Sequence, residues 1–178
     1  MLVSNGLWRN GTWQQSITSP DSGSVSSIEV SDAPNPNIHV GWDGRIPKGT
    51  GSVYAGISQG SVPVQIGYTY TMSCYARGTG ILEFMYGAAS PYLASRVEVN
   101  HDGWKRYAFT FTASESQVSD GLARFYFRSR SLNGEASNIE FCGMKLETGN
   151  MATDWSLAPE DIESRMAAIE TRLASLGV

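Results

Sequence analysis

Two histidines, two cysteines and a few strand carboxylates are the groups in this chain that catalysis or metal binding would need, and their spacing gathers none of them into a set. His39 and His101 stand alone, whereas a general base needs a nucleophile or polar partner within hydrogen-bond reach. No G-x-S-x-G, phosphate loop or H-E-x-x-H occurs. Glu83 and Glu98 are the acids a glycosidase would use, but that mechanism depends on carboxylate separation, and isolated strand acids are as a rule solvated. Cys74 and Cys142 sit inside alternating apolar segments and read as buried free thiols, too few for a disulfide framework. Neither has Cys or His neighbours at metal-ligand spacing, and no Asp-rich loop reads as a calcium site. The expectation is a protein without catalytic residues, metal or cofactor.

Binding chemistry is better supplied. A ligand held by stacking needs aromatic rings, with polar groups to fix its orientation. The polar positions of the best strands carry Tyr75, Arg77, Arg124, Tyr126, Arg128 and Arg130. Tyr75 with Arg77, expected beside Tyr126 with Arg128, forms the preferred patch. Trp42, Tyr54, Tyr86 and Tyr92 could widen it. Against this stands a plainer reading, in which the arginines solvate an exposed sheet and the tyrosines make cross-strand pairs. Trp8, Trp13, Trp104 and Trp155 read as packing residues.

The elements that must carry these side chains are strands. The chain has 178 residues, 41% hydrophobic, 17% charged and 11% aromatic, with 19 glycines, which suits one all-β domain with many turns. From Tyr68 to Arg77 the alternation is clean: Tyr68, Tyr70, Met72, Cys74 and Ala76 share one face. A Gly78–Gly80 turn is expected next, then a strand over Ile81–Tyr86. Ser95–Val99 and Trp104–Thr112 read as two strands around an Asn100–Gly103 turn, with Tyr107, Phe109 and Phe111 facing the core. Leu122–Arg130 and Asn138–Glu147 follow, and Val25–Val30, Ile38–Trp42 and Ser52–Ile57 are weaker candidates. Nine or ten short strands with no interleaved helix predict a sandwich or jelly roll. Net charge is −4 without a basic cluster, so neither nucleic acid nor an anionic membrane is expected as a partner, and no apolar run is long enough for membrane insertion. Met1–Gly6 lacks the basic and apolar regions of a signal peptide.

The last segment obeys a different period. Pro159, Glu160 and Asp161 suit a helix start, and Ile162, Met166, Ile169, Leu173 and Leu176 recur at spacings of four, three, four and three. That is a heptad seam, with Arg165 placed to reach Glu170 of a parallel neighbour. β-branched residues at d rather than a shift the expectation from two strands towards three or four, with a trimer favoured. The same stripe could pack back on its own sandwich, but a strict two-per-seven seam favours association.

The run Lys145-Leu-Glu-Thr-Gly-Asn-Met-Ala-Thr-Asp-Trp-Ser-Leu-Ala-Pro-Glu-Asp161 resembles the closing segment of carbohydrate-binding-module-like jelly rolls in phage tail, baseplate and minor structural proteins, with Leu157 where Pro is commoner. Gly67–Gly78 and Asp102–Thr112 resemble two further strands of that family, and Asn5–Trp8 with Trp13 loosely its first. The resemblance spans about residues 1–155 and implies an all-β jelly-roll β-sandwich, carbohydrate-binding-module-like, over 1–155; the heptad seam adds a coiled-coil oligomerisation helix at 159–177. It implies a virion protein, assembled in a host cytoplasm and contacting other virion proteins, which the heptad seam makes a homotrimer; binding of bacterial surface glycan for host attachment is its weaker implication. The alternative is an architectural virion component that binds no sugar. A glycan-cleaving enzyme is a third reading. A module cut from a cellular glycoside hydrolase is a poorer fourth, since the heptad tail has no role there.

Overall fold

Strong alternation from Thr69 onward does not stop at Gly78–Gly80. The computed structural model, which describes residues 14–17, 23–51, 53–131, 133–156 and 159–176, has one strand there, β5 (Thr69–Gly87). Before it come β1 (Gln14–Ile17), β2 (Ser24–Glu29), β3 (Val40–Ile46) and β4 (Tyr54–Pro63). After it come β6 (Leu93–Thr112), β7 (Leu122–Arg130), β8 (Ser137–Thr148) and the helix α1 (Pro159–Ser175). Trp8, Trp13 and the side chain of Arg165 lie outside the described set.

Two of the expected turns are thus interior to strands. Gly78 and Gly80 adopt φ of 110° and 142°. A Cβ at Gly78 would fall on the Asn138 carbonyl, and one at Gly80 on the Ser137 side chain. The glycines let β5 bend against β8 without losing its ladder, so they mark a kink. Asn100–Gly103 likewise lies within β6, which follows β5 from Thr69↔Thr112 to Tyr86↔Leu93 with one register shift near Gly78. Two long strands therefore replace four short ones.

β5 organises the sheet because its other edge changes partner. From Tyr70 to Thr79 it pairs with β8, and from Ile81 to Gly87 with β7. The hydrogen-bonded order is β1-β4-β7-β5-β8-β3-β2, with β6 on β5. The chain folds into two layers, β6-β5-β8-β3-β2 and β6-β5-β7-β4-β1, that share β5 and β6 and enclose one core. Even-numbered β5 residues point inward throughout. Tyr70, Met72, Cys74, Ala76, Leu82, Phe84 and Tyr86 meet Phe125, Phe127, Phe141, Ile57 and Leu146. Tyr86 stacks on Phe111 at 3.9 Å, and Phe84 meets Phe127 edge-on at 5.4 Å. Each buried ring contributes about 2 kcal/mol. Tyr107, Phe109 and Phe111 face this core as the alternation predicts. Cys74 and Cys142 are free and buried; burial pushes the Cys142 thiol up to about 12 and that of Cys74 well above its usual value.

The outer surface of the first layer is covered, and its cover explains the run from Lys145. Lys145 and Glu147 alternate outward on β8 beside Ser73 and Thr71, yet both are nearly fully buried. Lys145 Nζ lies 3.0 Å from Glu147 Oε1 and donates to Thr153 Oγ1 (2.6 Å) and the Asp154 carbonyl (2.7 Å). The Thr153 amide and hydroxyl both donate to Glu147. Arg106 donates to the Thr153 carbonyl and to Ser73, and Asn35 to the Trp155 carbonyl. Trp155 then packs with Val30, Ile38, Tyr75, Trp104 and Cys142. Residues 149–155 are thereby strapped across the sheet, and the charges they bury are hydrogen-bonded as burial demands.

α1 presents its apolar seam outward. Ile162, Met166, Ile169, Leu173 and Leu176 are 45–73% exposed in the single chain.

The strap makes a direct prediction. Lys145→Met leaves a buried carboxylate without its cation and is expected to cost about 3–5 kcal/mol. Adding Glu147→Leu should recover most of that loss. Equilibrium denaturation reads both; a single-variant loss below about 1 kcal/mol would show the pair to be solvated.

Candidate aromatic and arginine face

The outer surface of the second layer is built by the same alternation. On β7, Phe125 and Phe127 point into the core, so Arg124, Tyr126, Arg128 and Arg130 point out. Tyr54, Gly56 and Ser58 of β4 lie opposite Arg130, Arg128 and Tyr126. On the other side Glu83 and Met85 of β5 lie opposite Arg128 and Tyr126, and Arg96 of β6 lies opposite Glu83.

Glu83 holds this face together. It is 1% exposed, which corrects the expectation of a solvated strand acid. Arg96 Nε donates to Oε1 at 2.7 Å, Arg130 Nη1 to Oε2 at 3.3 Å, and Arg128 Nη1 lies 3.8 Å from Oε2. Both carboxylate oxygens are engaged, so Glu83 is not a free acid for a glycosidase pair, and Glu98 lies opposite Ile81, on solvent. Three arginines around one carboxylate repay its desolvation with charge-assisted bonds.

Arg128 is clamped in turn by rings. Its guanidinium lies 3.8 Å from the Tyr54 centroid and 4.0 Å from that of Tyr126. It also donates to Ser16 Oγ of β1 at 2.9 and 3.2 Å. Burial lowers its pKa, while Tyr54, Glu83 and Tyr126 oppose that shift. Tyr92, at the β5–β6 turn, meets Tyr126 edge-on at 5.8 Å and is 41% exposed. Burial first, then the Tyr92 contact, pushes the Tyr126 hydroxyl up to about 12, so at neutral pH it is a proton donor. The result is a row of Tyr54, Arg128, Tyr126 and Tyr92 whose members are pre-positioned by one another. Tyr126 and Arg128 are buried within the row, so the ring it presents is that of Tyr92, fixed at little further cost in side-chain entropy on binding.

The sequence-predicted patch is divided. Tyr126 and Arg128 are in this row with Tyr54 and Tyr92. Tyr75 and Arg77 are not beside them, because β5 meets β7 only from Ile81 onward. Arg77 is six residues from the Glu83 position along β5, roughly 20 Å of strand. Both side chains belong to the covered layer. Arg77 donates to Glu140 (2.7 Å) and Asp32 (2.6 Å) and stacks on Trp104 at 4.3 Å, while the Tyr75 hydroxyl accepts from Arg106. The Trp104 and Arg77 hydrogen bonds hold the Asp32 carboxyl below its usual range. Trp42 points the other way, inward opposite Phe141 and against the core, and Tyr86 is wholly buried. Sequence reasoning missed Arg96 and Ser16, whose roles depend on strand neighbours that no local pattern announces.

Other places on the chain carry less. His101 is tied to the Gly103 carbonyl and the Tyr107 hydroxyl, each at 2.6 Å. A cleft of about 450 Å³ beside Arg45, Pro47 and Asn138 has no aromatic ring in its lining. Among the described residues no three His, Cys, Asp or Glu side chains converge as a metal site would, and no helix is long and apolar enough to cross a membrane.

No family model and no curated protein matches the sequence. Solved structures do match the fold. The enzymatically active domain of bacteriophage CBA120 tailspike protein 4 superposes with TM-score 0.59 at 15% identity, over 78% of this chain and 20% of that one. The chain thus spans about a fifth of the length of that solved domain. A family 61 carbohydrate-binding module, solved with β-1,4-galactotriose, superposes with TM-score 0.52 at 16% identity, over 78% of this chain and 90% of the module. A Stig cyclase from Fischerella sp. TAU reaches TM-score 0.59 at 13% identity over 80% of this chain and 87% of the cyclase. The fold is that of the carbohydrate-binding-module jelly rolls, a scaffold on which both binding and catalytic proteins are built.

Proposed function

We propose that this chain is a phage virion attachment protein, of a tail, baseplate or fibre, whose sandwich binds host-surface glycan through the outer face of β4, β7 and β5. The observation that carries the reading is the row Tyr54–Arg128–Tyr126–Tyr92, in which buried Arg128 and Tyr126 brace an exposed Tyr92 between the exposed Arg124 and Arg96, while the other layer is strapped over. A pyranose stacks on an aromatic ring through its C–H face, and fixed guanidinium N–H groups meet its hydroxyls. Likeness of fold to a galactotriose-bound module and to a phage tailspike supports the glycan and the virion parts of the reading respectively.

α1 supplies the display. Seventeen residues make a helix of roughly 25 Å that is marginal alone in water. Its exposed seam calls for copies of itself, with a trimer favoured by the residues at a and d. Three weakly binding sandwiches on one stalk gain avidity of about 10²–10⁴ when their sites can engage together.

The purely architectural reading has one observation in its favour: Arg128, Tyr126 and Glu83 already satisfy one another, so the face is stable without a ligand. A bacterial-glycan array separates the two. The purified oligomer should bind, and Tyr92→Ala, which removes the most exposed ring, should weaken binding at least about tenfold, the order expected for a lost stacking contact. Tyr75→Ala, on the covered layer, should leave binding intact and lower stability. A blank array from an intact oligomer supports the architectural role. In light scattering the native protein should run at three times the chain mass and Ile169→Asp at one; a monomeric native protein contradicts the display.

A further inference from the structure

The open face carries more positive charge than its one buried carboxylate uses. Arg96, Arg124, Arg128 and Arg130 stand on it against Glu83, with Glu98 farther along β6, in a chain whose net charge is −4. Arg96 spends only Nε on Glu83 and is more than half exposed; Arg130 spends only Nη1. Their remaining N–H groups keep donor capacity. Arg124 has no acidic partner among the described residues. It is exposed, and its guanidinium rests on Gly60, where a Cβ would lie 3.0–3.3 Å from Nη2, Nε and Cζ. Gly87 is its neighbour across β5. Gly60 makes room for the guanidinium and Gly87 for the Tyr92 ring, so this exposed cation and the exposed tyrosine share one end of the face.

The spacing matters as much as the sign. Arg124, Tyr126 and Arg128 are i, i+2 and i+4 on the outward side of β7, so an aromatic ring is flanked by cations about 7 Å away along the strand. A neutral sugar on Tyr92 needs hydroxyl partners but no net charge. A sugar bearing an oxyanion would set its ring on the exposed Tyr92, backed by buried Tyr126, and its carboxylate, sulfate or phosphate oxygens against Arg124 or the free N–H groups of Arg96 and Arg130, as bidentate charge-assisted bonds. From this geometry we infer that the face selects anionic saccharides over neutral ones of the same backbone. The inference rests on the glycan-binding reading and names the class of glycan.

Matched pairs test it on the full-length oligomer: oligogalacturonate against its methyl ester, and sulfated against unsulfated β-1,4-galactotriose, by calorimetry at low and moderate salt. The acidic member of a pair should bind at least about tenfold tighter, and that advantage should shrink as salt rises. Arg124→Gln should cost the acidic member about tenfold without lowering the thermal midpoint, with Arg124→Lys recovering part. Equal affinity within both pairs, or binding of the neutral members alone, overturns the inference and leaves glycan binding standing. Binding of none of the four overturns it, and a blank array beside that result removes the glycan reading as well. An acid preference that Arg124→Gln leaves unchanged also overturns it, since the selecting cation would then lie elsewhere.

Discussion

A carboxylate buried to 1% exposure beneath three arginines is the interaction on which the open face depends. Glu83 sits on the strand that both layers share, and its partners come from the strands on either side of it. Removing a carboxylate from water costs several kcal/mol, and only close guanidinium contacts offset that cost. Net stabilisation can therefore be small while geometric constraint is large. Arg128, drawn towards Glu83, is held where Tyr54 and Tyr126 stack on it, and Tyr126 in turn receives Tyr92. The order of a surface row is thus set by one acid beneath it.

The two outer faces of the sandwich solve the same problem in opposite ways. On one, Lys145, Glu147 and Thr153 lash the 149–155 segment over the sheet, and Arg77 pins the segment around Asp32. Charges there are consumed inside the chain. On the other face Tyr92 and Arg124 stay exposed, while Tyr126 and Arg128 are buried by their own neighbours on the face. The contrast separates arginines that hold the fold from arginines that keep free donors, and it is the ground for the proposed site.

Much of this was legible in the sequence because period-two alternation and burial have the same cause. Tyr70 to Ala76, Tyr107 to Phe111 and the outward set of β7 could all be read from residue types alone, as could the two buried thiols. Partner choice could not. Nothing local says that β5 leaves β8 for β7 at Ile81, so Tyr75 and Arg77 were expected beside Tyr126 and Arg128 although they belong to the other face. Gly78–Gly80 reads as a turn because glycine serves turns and close approaches equally, and only the pressing Ser137 and Asn138 distinguish them. The burial of Glu83 is hidden for a related reason: it is the work of arginines distant in sequence. The run from Lys145 to Trp155 is conspicuous as a motif, but its physical meaning, a buried lash, lies in contacts that no local pattern announces.

Fold likeness at this level of identity leaves the ligand open, so the location of binding is the decisive observation. Backbone amide shifts, followed during titration with a saccharide that the oligomer binds, report that location residue by residue. The account predicts the largest changes at Tyr54, Tyr92, Arg124 and Tyr126, with Glu83 and its arginines responding behind them. Changes centred on Tyr75, Arg77 and Trp155, or on the cleft beside Arg45 and Asn138, would contradict it.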